Sequence, residues 1–253
     1  MKLAVLLVAV LLSAAGCNAP SEPSTPPPKA AVVDPNVPKD LYGAGSISGR
    51  VLFKGTAPKP VVIHMSADAY CQGAHGDTVT SDEVLLNPDG TLRNVFVYVK
   101  KGVNGAYTTP AAPAVIEQNG CEYRPHVQGL LVGQPVLIRN SDDTTHNIHA
   151  LTELNEPFNI GQPVRGMESK KIFTRPEVMI HFKCDVHPWM NCYAGVLTHP
   201  FYAVTGTDGA FKLAKLPAGA YVVEAWHEKF GVQQQTVTLG QSEDRIIEFT
   251  LAN

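Results

Sequence analysis

The stretch Ile180-His181-Phe182-Lys183-Cys184-Asp185-Val186-His187-Pro188-Trp189-Met190 starts with the periodicity of a strand and ends in a loop crowded with metal-binding atoms. Successive strand side chains point to opposite faces, so Ile180, Phe182 and Cys184 share one face while His181 and Lys183 share the other. Cys184 is therefore expected to point inward. A thiol, an imidazole and a thioether then follow at intervals of three, at Cys184, His187 and Met190.

Working upstream, a second imidazole stands in Asn140-Ser141-Asp142-Asp143-Thr144-Thr145-His146-Asn147-Ile148, directly after the apolar strand Val136-Leu137-Ile138. Strand parity puts His146 and Ile148 on one face, so His149 is expected to point away from the site. A thiolate, two imidazoles and a thioether suit copper cycling between two oxidation states, and a His₂Cys trigonal set with a long axial Met is the blue-copper arrangement. The bland alternative is a Cys184–Cys192 disulfide beside which the His and Met merely pack. Four ligands of the right types in the right order favour copper over that reading. Zinc is a weaker rival, since a structural zinc site prefers more thiolates or imidazoles and has little use for Met190.

At these residues the chain resembles the cupredoxins, the amicyanin-like members most closely. The shared features are the short Cys184-x-x-His187-x-x-Met190 loop, Pro188 after the His, Trp189 before the Met, His146-Asn147-Ile148-His149, and the turn Gly133-Gln134-Pro135-Val136. The resemblance covers residues 113–198 and implies a Greek-key sandwich with His146, Cys184, His187 and Met190 as copper ligands. It also implies a hydrogen bond from the Asn147 backbone amide to the Cys184 sulfur. The further expectations are that the His187 imidazole edge is the only ligand near solvent and the route by which electrons enter or leave, and that Pro188, Trp189 and the stem of Met190 form an apolar docking rim around it for a redox protein partner.

Strand signals dominate elsewhere as well. Ile47, Val51 and Phe53 alternate with Ser46, Ser48 and Arg50, and Val95, Val97 and Val99 alternate with Phe96 and Tyr98. Turn punctuation recurs at Asn87-Pro88-Asp89-Gly90, Asn119-Gly120, Thr207-Asp208-Gly209 and Pro217-Ala218-Gly219, while helical periodicity is weak throughout. The expected fold is all-β and of sandwich type. Residues 207–223, with a closing strand at Ile246 to Leu251, resemble the carboxypeptidase regulatory-like domain, a small transthyretin-like sandwich. That family opens with a strand such as Ser46-Ile47-Ser48-Gly49-Arg50-Val51, here far upstream. Residues 45–105 plus 199–253 are therefore expected to form one sandwich, with the 113–198 cupredoxin domain inserted between them.

The amino terminus carries Lys2, an apolar run from Leu3 to Leu12, and Ser13-Ala14-Ala15-Gly16-Cys17, the pattern of a secretory signal over residues 1–16. It resembles a bacterial lipoprotein signal, which implies lipidation of Cys17, and the run is too short for a comfortable membrane span. Residues 17–40 are rich in Pro, Ser and Ala and read as an extended tether. The expected location is the bacterial cell envelope, periplasmic or outer-surface, with membrane contact through the lipid anchor only. Without Lys2 there are 19 basic against 23 acidic residues, a net charge of −4, and no basic cluster to suit nucleic acid.

The cysteines stand at 17, 71, 121, 184 and 192 in a chain sent to an oxidising compartment. The default pairing is Cys71 with Cys121, leaving Cys192 as a buried thiol, although sequence alone leaves the connectivity open. Among the other histidines only His126, in Tyr123-Arg124-Pro125-His126-Val127, is singled out for a possible role. No hydrolase or nucleotide motif is present, and Met190 would close the position that a copper enzyme leaves to its substrate, so single-electron transfer without catalysis is expected. The alternative is a surface lipoprotein that binds carbohydrate or a partner and carries a vestigial or structural metal site.

Overall fold

A computed structural model describes residues 41–75 and 79–253. The signal segment, the tether and Cys17 lie outside the described residues. Among those described, the first elements are β1 (Gly45–Lys54), β2 (Val62–Ile63), the helix α1 (Ala69–His75), β3 (Val79–Thr80) and β4 (Phe96–Lys101). Next come β5 (Ala114–Gln118), β6 (Tyr123–Arg124), β7 (Val127–Leu131), β8 (Pro135–Asn140), β9 (His146–Leu151), β10 (Phe158–Gln162), β11 (Glu168–Ile172), β12 (Glu177–Lys183) and β13 (Asn191–Leu197). The chain closes with β14 (Tyr202–Val204), β15 (Ala210–Leu216), β16 (Gly219–His227), β17 (Gly231–Leu239) and β18 (Asp244–Ala252). The fold is all-β apart from α1, which weak helical periodicity gives no reason to expect: it spans only 7 residues and includes Gly73.

Two sheets, β10-β9-β12-β13-β7 and β11-β8-β5-β6, enclose one core. Ile116, Leu130, Ile138, Ile148, Ile180 and Phe182 fill it, each with no exposed surface. Full burial of a side chain such as Phe182 contributes about 1.5–3 kcal/mol. Parity holds along β12, where Ile180 and Phe182 are buried while His181 and Lys183 are only half-buried.

Two further sheets, β15-β1-β18 and β14-β4-β16-β17, enclose a second core around Ile47, Val51, Leu213, Val223 and Phe249. Strand β1 runs parallel to β18, Ile47 opposite Arg245 and Phe53 opposite Leu251, and antiparallel to β15. The strands between β4 and β14 contribute to neither of these sheets.

Strand β4 departs from the half-buried pattern that alternation usually signals, because both of its faces are covered. Val97 and Val99 point into the second core. Phe96 and Tyr98 join Val127 and Leu197 in a third cluster against β7 and β13. Close approach there depends on glycine. Gly129 and Gly195 are register partners on β7 and β13, and a Cβ built on them would stand 2.2 Å from the Tyr202 ring and 2.5 Å from the Phe96 ring. Those two rings stack on one another at 5.5 Å.

Candidate metal centre

The site forms where β9 begins and β12 ends. Lys183 on β12 is opposite His149 on β9, so His146, three residues earlier, extends beside the loop that follows Lys183. That loop is tied across its base, with the Cys184 amide donating to the Met190 carbonyl at 3.1 Å and the Met190 amide to the His187 carbonyl at 2.9 Å. Asn147 fastens it to β9. Its side-chain oxygen accepts from the Asp185 amide at 2.7 Å and the Val186 amide at 3.3 Å, and lies 3.3 Å from the Cys184 sulfur.

His146, Cys184 and His187 converge so closely that one ligand atom from each lies within 4.8 Å of the others. The two Nδ1 atoms are 2.9 Å apart, and the Cys184 Sγ is 3.9 Å from the His187 Nδ1. Met190 lies buried at the end of the same loop. Burial opposes ionisation of the Cys184 thiol, but hydrogen bonds from both imidazoles and from the Asn147 and His187 amides outweigh it and bring its pKa down to about 6. The donor set is thus a thiolate available near neutral pH beside two imidazole nitrogens, which fits copper.

Each imidazole turns its outer nitrogen to a carboxylate, and neither carboxylate is singled out by the sequence. The Asp142 Oδ2 is 2.9 Å from the His146 Nε2 and also accepts from the Cys121 amide at 2.8 Å, while its Oδ1 accepts from the Gly120 amide at 2.7 Å. Burial would raise the Asp142 carboxyl, yet these bonds hold it below the usual range, and Asp142 in turn raises His146 against the opposing effect of burial. Gly120 and Cys121 both have positive φ, 65° and 57°, as the centre of the tight hairpin between β5 and β6.

The second carboxylate is Asp68, whose Oδ2 is 3.2 Å from the His187 Nε2. Partial burial opposes its ionisation, but bonds from Thr144, the Cys71 amide, His187 and the Tyr70 amide bring it down to about 2. Cys71 and Cys121 are joined by a disulfide, whereas Cys184 and Cys192 are buried free thiols. The Cys71 Sγ lies 3.5 Å from the His187 Nε2. Two other ligand-like groups, Asp68-Cys71-His187 and Cys121-Asp142-His146, share these histidines, but each contains a cysteine held in the disulfide.

The expectation that His187 presents its edge to solvent is corrected by this geometry. His187 is 2% exposed, because α1, Asp68 and the disulfide close over it. Pro188 is at the surface. Trp189 is half-buried, its ring 5.1 Å from that of His187 and its indole N–H donating to the Cys121 carbonyl at 3.0 Å. His149 points away toward Asp185, at 3.0 Å. His126 does not join the cluster. It pairs with Glu228 in a cleft of about 390 Å³ that is also lined by Trp189, Met190 and Tyr193.

No protein-family model matches the chain, and no curated protein matches it. Among solved structures it is similar to a Cu-containing nitrite reductase from Thermus scotoductus, at 23% identity and TM-score 0.33, over 38% of this chain and 25% of that one. A purple cupredoxin from Nitrosopumilus maritimus gives 22% identity and TM-score 0.29 over 33% of this chain and 98% of that one. An amicyanin mutant in its Cu(I) form gives 15% identity and TM-score 0.30 over 40% of this chain and 97% of that one. The chain thus spans a quarter of the nitrite reductase and nearly all of the two small copper proteins. These neighbours are cupredoxins.

Proposed function

We propose that this chain is a type 1 copper protein that passes single electrons and does not catalyse a reaction of its own. The observation that supports it most directly is the convergence of the His146 and His187 Nδ1 atoms on the Cys184 sulfur, all three buried. His146, Cys184, His187 and Met190 would hold the ion. Bound copper would supply a one-electron couple between Cu(I) and Cu(II).

The protein's own part is to keep that geometry fixed. Asn147 pins the loop, Asp142 orients His146, and the apolar core around Phe182 and Ile148 excludes water. Such pre-set ligands need little rearrangement when the charge of the ion changes. A Met190 thioether bound to the ion would take the position that a substrate would need, which favours electron transfer over catalysis. We further propose that residues 45–105 and 199–253 act as a carboxypeptidase regulatory-like carrier for the 113–198 insertion. A lipid on Cys17 and the 17–40 tether would hold both at the bacterial envelope, where a redox protein is the partner.

The test is the visible absorption spectrum of the purified protein loaded with Cu(II). An intense thiolate-to-copper band is expected, and Cys184→Ser is expected to abolish it. Met190→Leu is expected to keep the band and raise the reduction potential. A colourless wild-type protein, or colour that survives Cys184→Ser, would overturn the reading.

A further inference from the structure

His187 receives an acceptor from a distant part of the chain. Asp68 precedes α1 and stands 119 residues upstream of His187. It uses its two oxygens differently. Oδ1 accepts from the Tyr70 and Cys71 amides at 2.8 and 3.1 Å, capping α1, while Oδ2 accepts from the Thr144 hydroxyl at 2.6 Å and faces the His187 Nε2 at 3.2 Å. The disulfide ties α1 to the β5–β6 hairpin and so keeps this carboxylate in place.

We propose that Asp68 is a positioning residue for the metal centre: it accepts the outer N–H of His187, leaves Nδ1 as the lone pair facing Cys184 and His146, and seals that imidazole edge from water. The inference rests on the reading that His187 is a ligand. A neutral imidazole carries one N–H, and the acceptor on one nitrogen decides which nitrogen is free to bind metal. A carboxylate does this and also adds negative charge, which favours the more highly charged state of the ion. The sealed edge also means that a redox partner does not meet the imidazole of His187 directly.

A purely structural role, capping α1, would give a different result, and Asp68→Asn separates the two because Asn caps helices as well as Asp does. The wild type and this variant are loaded with Cu(II), checked for the blue band, and compared by protein-film voltammetry. With the charge gone, the ratio of Cu(I) to Cu(II) affinity is expected to rise about tenfold, which is about 59 mV for one electron. Asp89→Asn, at an exposed pair with Arg50 in the other sandwich, should leave the potential unchanged. In the Cu(I) proteins, NMR is expected to show the His187 Nε2 proton exchanging with water at least about tenfold faster in Asp68→Ala than in the wild type. If Asp68→Ala does not fold, the potential of Asp68→Asn decides alone. A blue Asp68→Asn protein with the wild-type potential would overturn the inference and leave the copper reading standing, whereas a colourless wild type would remove both.

Discussion

His146 takes its carboxylate from four residues upstream in its own loop, whereas His187 takes its from 119 residues away, beyond the sheets that form the site. The two corners differ in depth as well. The side chain of Asp142 is 0% exposed and that of Asp68 is 20% exposed. One imidazole is oriented by a local turn closed with its own strand, the other by a helix that must first be docked. The difference teaches that equivalent-looking ligands can rest on unequal foundations: the local corner forms with the sandwich itself, and the assembled corner depends on a covalent clamp.

The largest expected effect on stability tests the local corner. Asp142→Ala leaves the Gly120 and Cys121 amides and the outer nitrogen of His146 without their acceptor in a fully buried place. A loss of about 3–5 kcal/mol is expected in denaturant unfolding of the metal-free protein. A loss below about 1 kcal/mol would show that this carboxylate does not anchor the corner.

The clamp on the assembled corner comes next. Replacing Cys71 and Cys121 together by Ala frees a loop with a sequence separation of 50 and is expected to cost about 2–4 kcal/mol. Water should then reach His187, so faster exchange of its ring proton without loss of the blue band would sharpen the contrast between corners. Unchanged protection of that proton would break it.

A third effect lies in the other sandwich and serves as a reference outside both corners. Burial, reinforced by nearby His126, brings the buried His227 imidazole down to about 4 from 6.5. The unfolded chain therefore takes up this proton near pH 6.5 and the folded one only near pH 4. Stability should fall as the pH drops through that window, by about 3 kcal/mol. His227→Gln should remove that part of the pH dependence, and an unaltered profile would mean that the group does not titrate as argued.

Much of the site was legible because its chemistry is local. Cys184, His187 and Met190 lie within one loop, and strand parity alone aims Cys184 inward and His149 outward. Asp142 lies in the loop between β8 and β9, where no strand or helix period orders the side chains, so nothing distinguished it from Asp143. Asp68 gave even less, since the helix it precedes has only 7 residues, too short to show a period. Strand β4 was legible as a strand, but alternation reports the two faces of a strand without saying what covers each one.

The sequence by itself determined the all-β class and the donor types, since periodicity, turn residues and ligand identity are properties of neighbours along the chain. Only the tertiary structure decided that α1 closes over His187, that Gly129 and Gly195 admit the rings of Tyr202 and Phe96, and that a carboxylate sits behind each imidazole. Those contacts join residues far apart in the chain, and their energies come from burial and from pairing of polar groups that exist only after the sheets have packed.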